Sequence, residues 1–190
     1  MKNLKGIIVI IAVVLVLGLW AASAYNSMVG VQEKATTELA NVQSAYQRRA
    51  DLIPNLVETV KGYAAHEKET LEGVVEARSK ATGINLDAEN IQEFQAAQGE
   101  LSSALGRLIA IGEAYPDLKA NENFQQLQIQ LEGTENRINE ARNKYNTAVQ
   151  NYNLVIRSFP KNIVASLFNF DKMTKFEAAQ GAEKAPEVKF

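Results

Sequence analysis

The chain has 190 residues, a formal net charge of −2 and no cysteine. Charges of both signs are interspersed, which leaves no basic footprint for nucleic acid. The lack of cysteine excludes a lipid-modified cysteine anchor, structural disulfides and thiolate metal sites.

The first thirty residues carry the strongest signal. Lys2 and Lys5 precede an uncharged apolar run from Ile7 to Ala24, and no charged residue follows until Glu33. As a helix that run measures roughly 27 Å, close to the hydrocarbon thickness of a bilayer. Ala22-Ser23-Ala24 also matches a small-x-small cleavage site, so a cleaved signal competes with a retained anchor. The length of the run and Trp20, placed as an interfacial aromatic, favour retention. Basic residues before the span outnumber those after it, where only Lys34 is near. The positive-inside bias thus predicts an N-terminus in the cytoplasm and an extracytoplasmic body. Gly18 and Ala22 form one small-xxx-small pair, a weak dimerisation cue.

Beyond the span the composition is helical. Proline is confined to Pro54, Pro116, Pro160 and Pro186, and alternating β-branched runs are absent. Apolar positions from Ala35 through Val42, Tyr46, Ile53, Leu56 and Val60 to Tyr63 alternate at 4 and 3. The phase carries through Pro54. Either Asp51 caps a new helix, giving helices over 26–50 and 52–81, or one long helix kinks at Pro54. The absence of loop residues favours the kink. Thr82-Gly83 closes that region, and Asp87 is the expected N-cap of a helix running to Gly112. A five-heptad seam from Phe124 to Phe159 predicts a helix opening near Asn121 and stopping before Pro160. Its small members Thr134, Ala141 and Ala148 allow close packing. Residues 160–170 are expected to form a short helix, and Glu177 to Phe190 a loose tail. Val188 and Phe190 are apolar for a free end, and the tail could add to a partner's sheet edge.

Few residues suggest chemistry. Arg48, Arg49, Asp51, Pro54 and Asn55 form a dense polar cluster, with Arg49 on the apolar stripe. A buried arginine needs a partner, and Glu132, Glu135 and Asp117 are the internal candidates. The competing reading is a binding notch or inter-subunit contact. His66-Glu67 lacks the second histidine of a metalloprotease motif and the spacing of a di-iron bundle. Gly133 lies inside the heptad helix at a cost of about 1 kcal/mol relative to alanine, which close helix crossing would explain. Glu69, Glu72 and Glu76 with Lys68 and Lys80 read as surface i, i+4 pairs. No nucleophile elbow, phosphate loop, dinucleotide fingerprint or zinc spacing occurs in the sequence.

Several stretches resemble one family. They are Tyr25-Asn26-Ser27-Met28-Val29 after the span, Tyr46 through Glu67 with its Gln-Arg-Arg-Ala-Asp-Leu-Ile-Pro-Asn core, Glu113 through Asn121, and Leu131 through Arg137. The pairs Tyr145-Asn146, Tyr152-Asn153 and Phe159-Pro160 complete the set. The chain resembles the LemA family of bacterial membrane proteins over essentially its whole length. Leu39 departs from the tryptophan usual at that position. The resemblance implies one N-terminal membrane helix and a long-helix bundle, and supplies no enzymatic activity.

The expected fold is all-α: a transmembrane helix, then an antiparallel bundle of three to four long helices, the first kinked near Pro54. The expected layout is a short cytoplasmic segment over 1–6, a signal-anchor over 7–24 bounded by Ile7 and Ala24, a bundle over 25–176 and a tail over 177–190. No catalytic residue, cofactor or metal is expected. The function expected is non-enzymatic scaffolding or self-assembly at the cell envelope, with the lipid bilayer and further copies of the chain as partners. An adaptor for a membrane protease and a ligand-binding or enzymatic bundle are the alternatives. The interaction candidates are Arg48, Arg49, Asp51, Pro54, Asn55, Gly133, Val188 and Phe190.

Overall fold

A computed structural model describes residues 2–177, with side chains from residue 5. Val188 and Phe190 lie outside the described residues. Six helices and no strand are found among the described residues. α1 spans Lys2–Lys61 as one helix, through Pro54. Its apolar segment is exposed on all sides, from Ile7 to Leu19. It is the one described helix long and apolar enough to cross a membrane. Past Ala24 the same helix becomes amphipathic and buries Met28, Ala35, Val42, Ile53 and Leu56. At 1.5 Å per residue, the stretch from Tyr25 to Lys61 is about 55 Å long.

The first helix does not continue to Thr82. The chain reverses at Gly62–Glu67, where the amides of Gly62, Tyr63 and Ala64 bond back to Glu58 and Val60. Sequence periodicity hid this break because Tyr63 stays in phase and Ala64 is itself buried. α2 (Lys68–Gly83) and α3 (Ile91–Ala114) then form a hairpin. Asp87 is not the cap of α3. It lies in the preceding loop, where its amide donates to Asn90 Oδ1 (2.8 Å) and Asn90 becomes the N-cap residue. α4 is a single turn, Pro116–Lys119. α5 (Glu122–Arg157) opens where expected, with Asn121 Oδ1 accepting from the Phe124 amide at 3.0 Å. α6 (Lys161–Leu167) ends with Asn169 at φ 56°. The Phe170 amide there donates to Ala165 O at 3.0 Å, a left-handed cap of the kind asparagine tolerates.

α1 and α5 lie antiparallel and are nearly matched in length outside the apolar segment. α2 and α3 are too short to cover that length: α2 spans 16 residues, about 24 Å. They complete a four-helix core only at the tip, the end away from the apolar segment. There Leu56, Val60, Val74, Leu101, Leu108 and Leu131 pack together. In the middle, Val42, Tyr46, Phe94, Ile138 and Tyr145 form a second cluster, which Phe176 joins. At the base, Met28 packs with Tyr152, Ile156 and Val164. Toward the base the place of the missing helices is taken by α6 and by the extended segment 169–177, here called the strap.

Candidate functional site

Arg49 sits on the core face of α1 and is 4% exposed. One terminal nitrogen donates to Glu135 Oε2 (3.0 Å) and Ser102 Oγ (3.1 Å). The other donates to the Gln98 side-chain oxygen (2.5 Å) and backbone carbonyl (3.4 Å). Its guanidinium carbon lies 5.1 Å from the centroid of the Tyr46 ring. Nε has no hydrogen-bond partner among the described residues. One cation thus joins α1, α3 and α5, with Glu135 as the internal partner. Glu132 and Asp117, the other two candidates, are exposed elsewhere.

The rest of the dense cluster does not converge on Arg49. Arg48, Asp51, Pro54 and Asn55 are exposed, and Asp51 accepts from Gln47 Nε2 at 2.7 Å. Pro54 still has an internal consequence. It lacks an N–H, so the Ala50 carbonyl loses its helical donor. Arg78 Nε of α2 supplies that bond at 2.8 Å. Pro54 therefore turns a backbone defect into a docking point between α1 and α2.

At the tip, Tyr115 donates to Glu67 Oε1 (3.1 Å) and Asn121 Nδ2 to the Tyr63 hydroxyl (2.9 Å). These bonds tie the α1–α2 turn to the α3–α5 connection. His66 is exposed beside them. Of the surface ion pairs expected on α2, Lys68–Glu72 is present at 3.7 Å, while Lys80 reaches Glu100 of α3 at 2.7 Å.

Gly133 is exposed, and a Cβ there would meet nothing within 4 Å. Close helix crossing among the described residues is therefore not the reason for it. The close approach falls instead at Gly112, where a Cβ would lie 2.6 Å from the Phe124 ring. Gly112 had looked like a helix end.

The strap is the feature that sequence reasoning missed. Tyr145 and Tyr152 donate to the carbonyls of Thr174 (2.9 Å) and Asp171 (2.8 Å). Asn146 both donates to the Phe176 carbonyl (3.0 Å) and accepts from its amide (2.9 Å). Asn153 does the same with Met173, at 2.9 and 3.0 Å. Each Tyr-Asn pair therefore reads one stretch of extended backbone, antiparallel to α5. The spacing follows from geometry. Seven helical residues rise about 10.5 Å, and three extended residues rise about 9–10 Å. A heptad step on α5 thus meets a three-residue step on the strap. Gln95 and Arg142 hold the Glu177 carbonyl at 2.8 and 2.5 Å, so residue 177 is fastened rather than loose. The signal in the sequence was the repeat of asparagine beside the seam, because a half-buried amide needs partners. Burial, with Asp87 second, pushes the Tyr145 hydroxyl up to about 12. Burial also raises Tyr46 and Tyr152.

The motifs that first drew attention thus coincide with the joints of one framework: Arg49, Pro54, the tip and the strap. In class, this is an all-α bundle continuous with a helix long and apolar enough to cross a membrane. The LemA family profile matches residues 38–190, and the chain belongs to the LemA family. It is 26% identical over 155 residues to protein LemA of Metamycoplasma hominis, covering 82% of this chain and 69% of that relative. It is 27% identical over 174 residues to the magnetosome protein MamQ of Magnetospirillum gryphiswaldense. A MamQ of Paramagnetospirillum magneticum is 28% identical over 175 residues. The chain spans 64% of the length of each of these MamQ proteins.

Proposed function

We propose that the chain is a non-enzymatic, single-pass scaffold that stands on a bacterial inner membrane and self-associates. The observation that carries this reading is the unbroken α1, whose apolar segment passes directly into the bundle core at Ala24 and Met28. A body joined in this way holds a fixed angle to its anchor and presents a long face at a set height. Lys2 and Lys5 favour a cytoplasmic N-terminus and an extracytoplasmic body.

Self-association draws support from the outer face of α5. Gly133 carries the helical cost of a glycine where a Cβ would meet nothing within 4 Å among the described residues, and Ile129, one turn earlier, is exposed. A second copy packing there would account for both. The test is the oligomeric state of the full-length protein in mild detergent and in native nanodiscs. A defined oligomer that Gly133→Leu dissociates supports the reading. A wild-type protein that stays monomeric at micromolar concentration opposes it. A body protected from an impermeant thiol reagent in intact spheroplasts, probed at Ala65→Cys on the exposed tip, reverses the orientation.

A further inference from the structure

The base of the molecule exposes an apolar stripe that the bundle does not use. Phe159, Ile163 and Leu167 recur at i, i+4 and i+8 along the α5–α6 turn and α6, and are 81%, 60% and 74% exposed. The opposite side of α6 buries Val164 and Ala165 against the core. Three large apolar side chains on one side of so short a helix form a patch that solvent alone does not explain.

Where the stripe sits decides what covers it. α6 lies against α1 at the level where the apolar segment ends. The rings of Tyr25 and Phe168 meet edge to face, centroids 4.9 Å apart, and Phe170 adds a second contact at 5.5 Å. Phe168 borders a groove with Gly18 and Ala22, inside the span itself. Lys161 at the start of α6 donates to Ser27 Oγ at 3.1 Å. Trp20 lies one turn deeper on α1. Tyrosine and tryptophan at this height mark the bilayer–water boundary. The charge is also biased: from residue 141 to 176 the sequence holds six basic residues and a single acidic one, Asp171. Among them, Arg157, Lys161 and Lys172 flank the stripe.

We propose that α6 is a second membrane contact, an interfacial foot. Phe159, Ile163 and Leu167 enter the acyl boundary beside the exit of α1, and the flanking cations face lipid phosphates. Amphipathic helices with this arrangement lie in the plane of the interface. Two contacts, one spanning and one lying flat, would fix the tilt of the body as well as its height. The proposal rests on the reading of α1 as a membrane anchor.

The absence of cysteine makes the test direct. Single-cysteine variants of the full chain, Leu167→Cys, Ile163→Cys, Ala65→Cys and Val13→Cys, are labelled with an environment-sensitive fluorophore. They are reconstituted in vesicles of phosphatidylcholine and phosphatidylglycerol that carry lipids spin-labelled at shallow or deep acyl positions. Labels at 167 and 163 should shift to the blue and lose most of their emission to shallow spin labels. The label at 65, on the exposed reversal at the tip, should do neither, and the label at 13 should be quenched by deep ones. If 13 is quenched while 163 and 167 report water, the foot is wrong and the anchor stands. Labels at 163 and 167 that shift to the blue without lipid quenching are covered by protein, such as a second copy, and that also overturns the foot. If 13 is not quenched, the anchor reading fails and takes the foot with it.

Discussion

Arg49 shows how a buried cation is tolerated without an equally buried anion. Its carboxylate partner Glu135 is 50% exposed, whereas Gln98 is buried beside it. An exposed ion-pair partner contributes about 0–1 kcal/mol. Loss of a buried acceptor from a charged donor costs about 2 kcal/mol. Glu135→Gln should therefore lower stability by less than about 1 kcal/mol and Gln98→Leu by about 2 kcal/mol, measured by urea unfolding. The reverse order would mean that the ion pair, rather than the amide, holds Arg49. The Pro54–Arg78 joint gives a sharper test. Arg78→Ala leaves the Ala50 carbonyl without a donor and should cost about 1–2 kcal/mol. In a Pro54→Ala background the restored N–H reclaims that carbonyl, and Arg78→Ala should cost measurably less. Additive effects in this double-mutant cycle would refute the substitution of one donor for another.

At the scale of elements, the strap's dependence on tyrosine hydroxyls makes it sensitive to alkali. Tyr145 donates its proton to Thr174 O and holds that proton up to about 12, above its ordinary value of 10.0. A raised pKa means that the neutral form is favoured in the folded state. The resulting stability is whole below about pH 10 and declines as pH rises toward about 12. Amide exchange at Met173 and Phe176, whose N–H groups bond to Asn153 and Asn146, should become faster than base catalysis alone predicts across that window. Asn153→Ala should release the Met173 amide at neutral pH. Unchanged protection in both experiments would mean that burial of Phe176, not the ladder, fastens the strap. These elements also show what was legible in the sequence. The apolar span, the α5 seam and its Asn121 cap announced themselves through periodicity and a local side-chain bond. The burial of Arg49 called for an internal partner, but the sequence left Glu132, Glu135 and Asp117 as equal candidates, and the fold selects Glu135. The reversal at Gly62 was hidden because helical phase continues across it. The strap was hidden because it has no periodicity of its own: it binds through its backbone groups, which any sequence carries. Gly133 and Gly112 look alike in sequence, and only the tertiary contact with Phe124 separates them.

For the whole molecule, the length mismatch between helices predicts uneven stability. The tip has four helices around Leu56, Leu101, Leu108 and Leu131. Toward the base, α1 and α5 rely on α6 and the strap to cover Met28, Tyr145 and Tyr152. Segments with fewer buried apolar contacts open at lower free energy than the core. Deleting residues 169–190 should therefore expose the middle and basal clusters while sparing the tip. In hydrogen exchange, the amides of α1 around Ala35–Tyr46 and of α5 around Tyr145–Ile156 should lose protection. Those around Ile53–Val60 and Leu101–Leu108 should keep theirs. The Arg49 cluster lies at the boundary, so Arg49 and Glu135 should mark where protection changes. Loss of protection along the entire length would instead mean that tip and base unfold as one unit, with the strap as a keystone for both. Protection unchanged throughout would mean that the α1–α5 pair is self-sufficient, and that the Tyr-Asn ladder organises the strap without supporting the bundle.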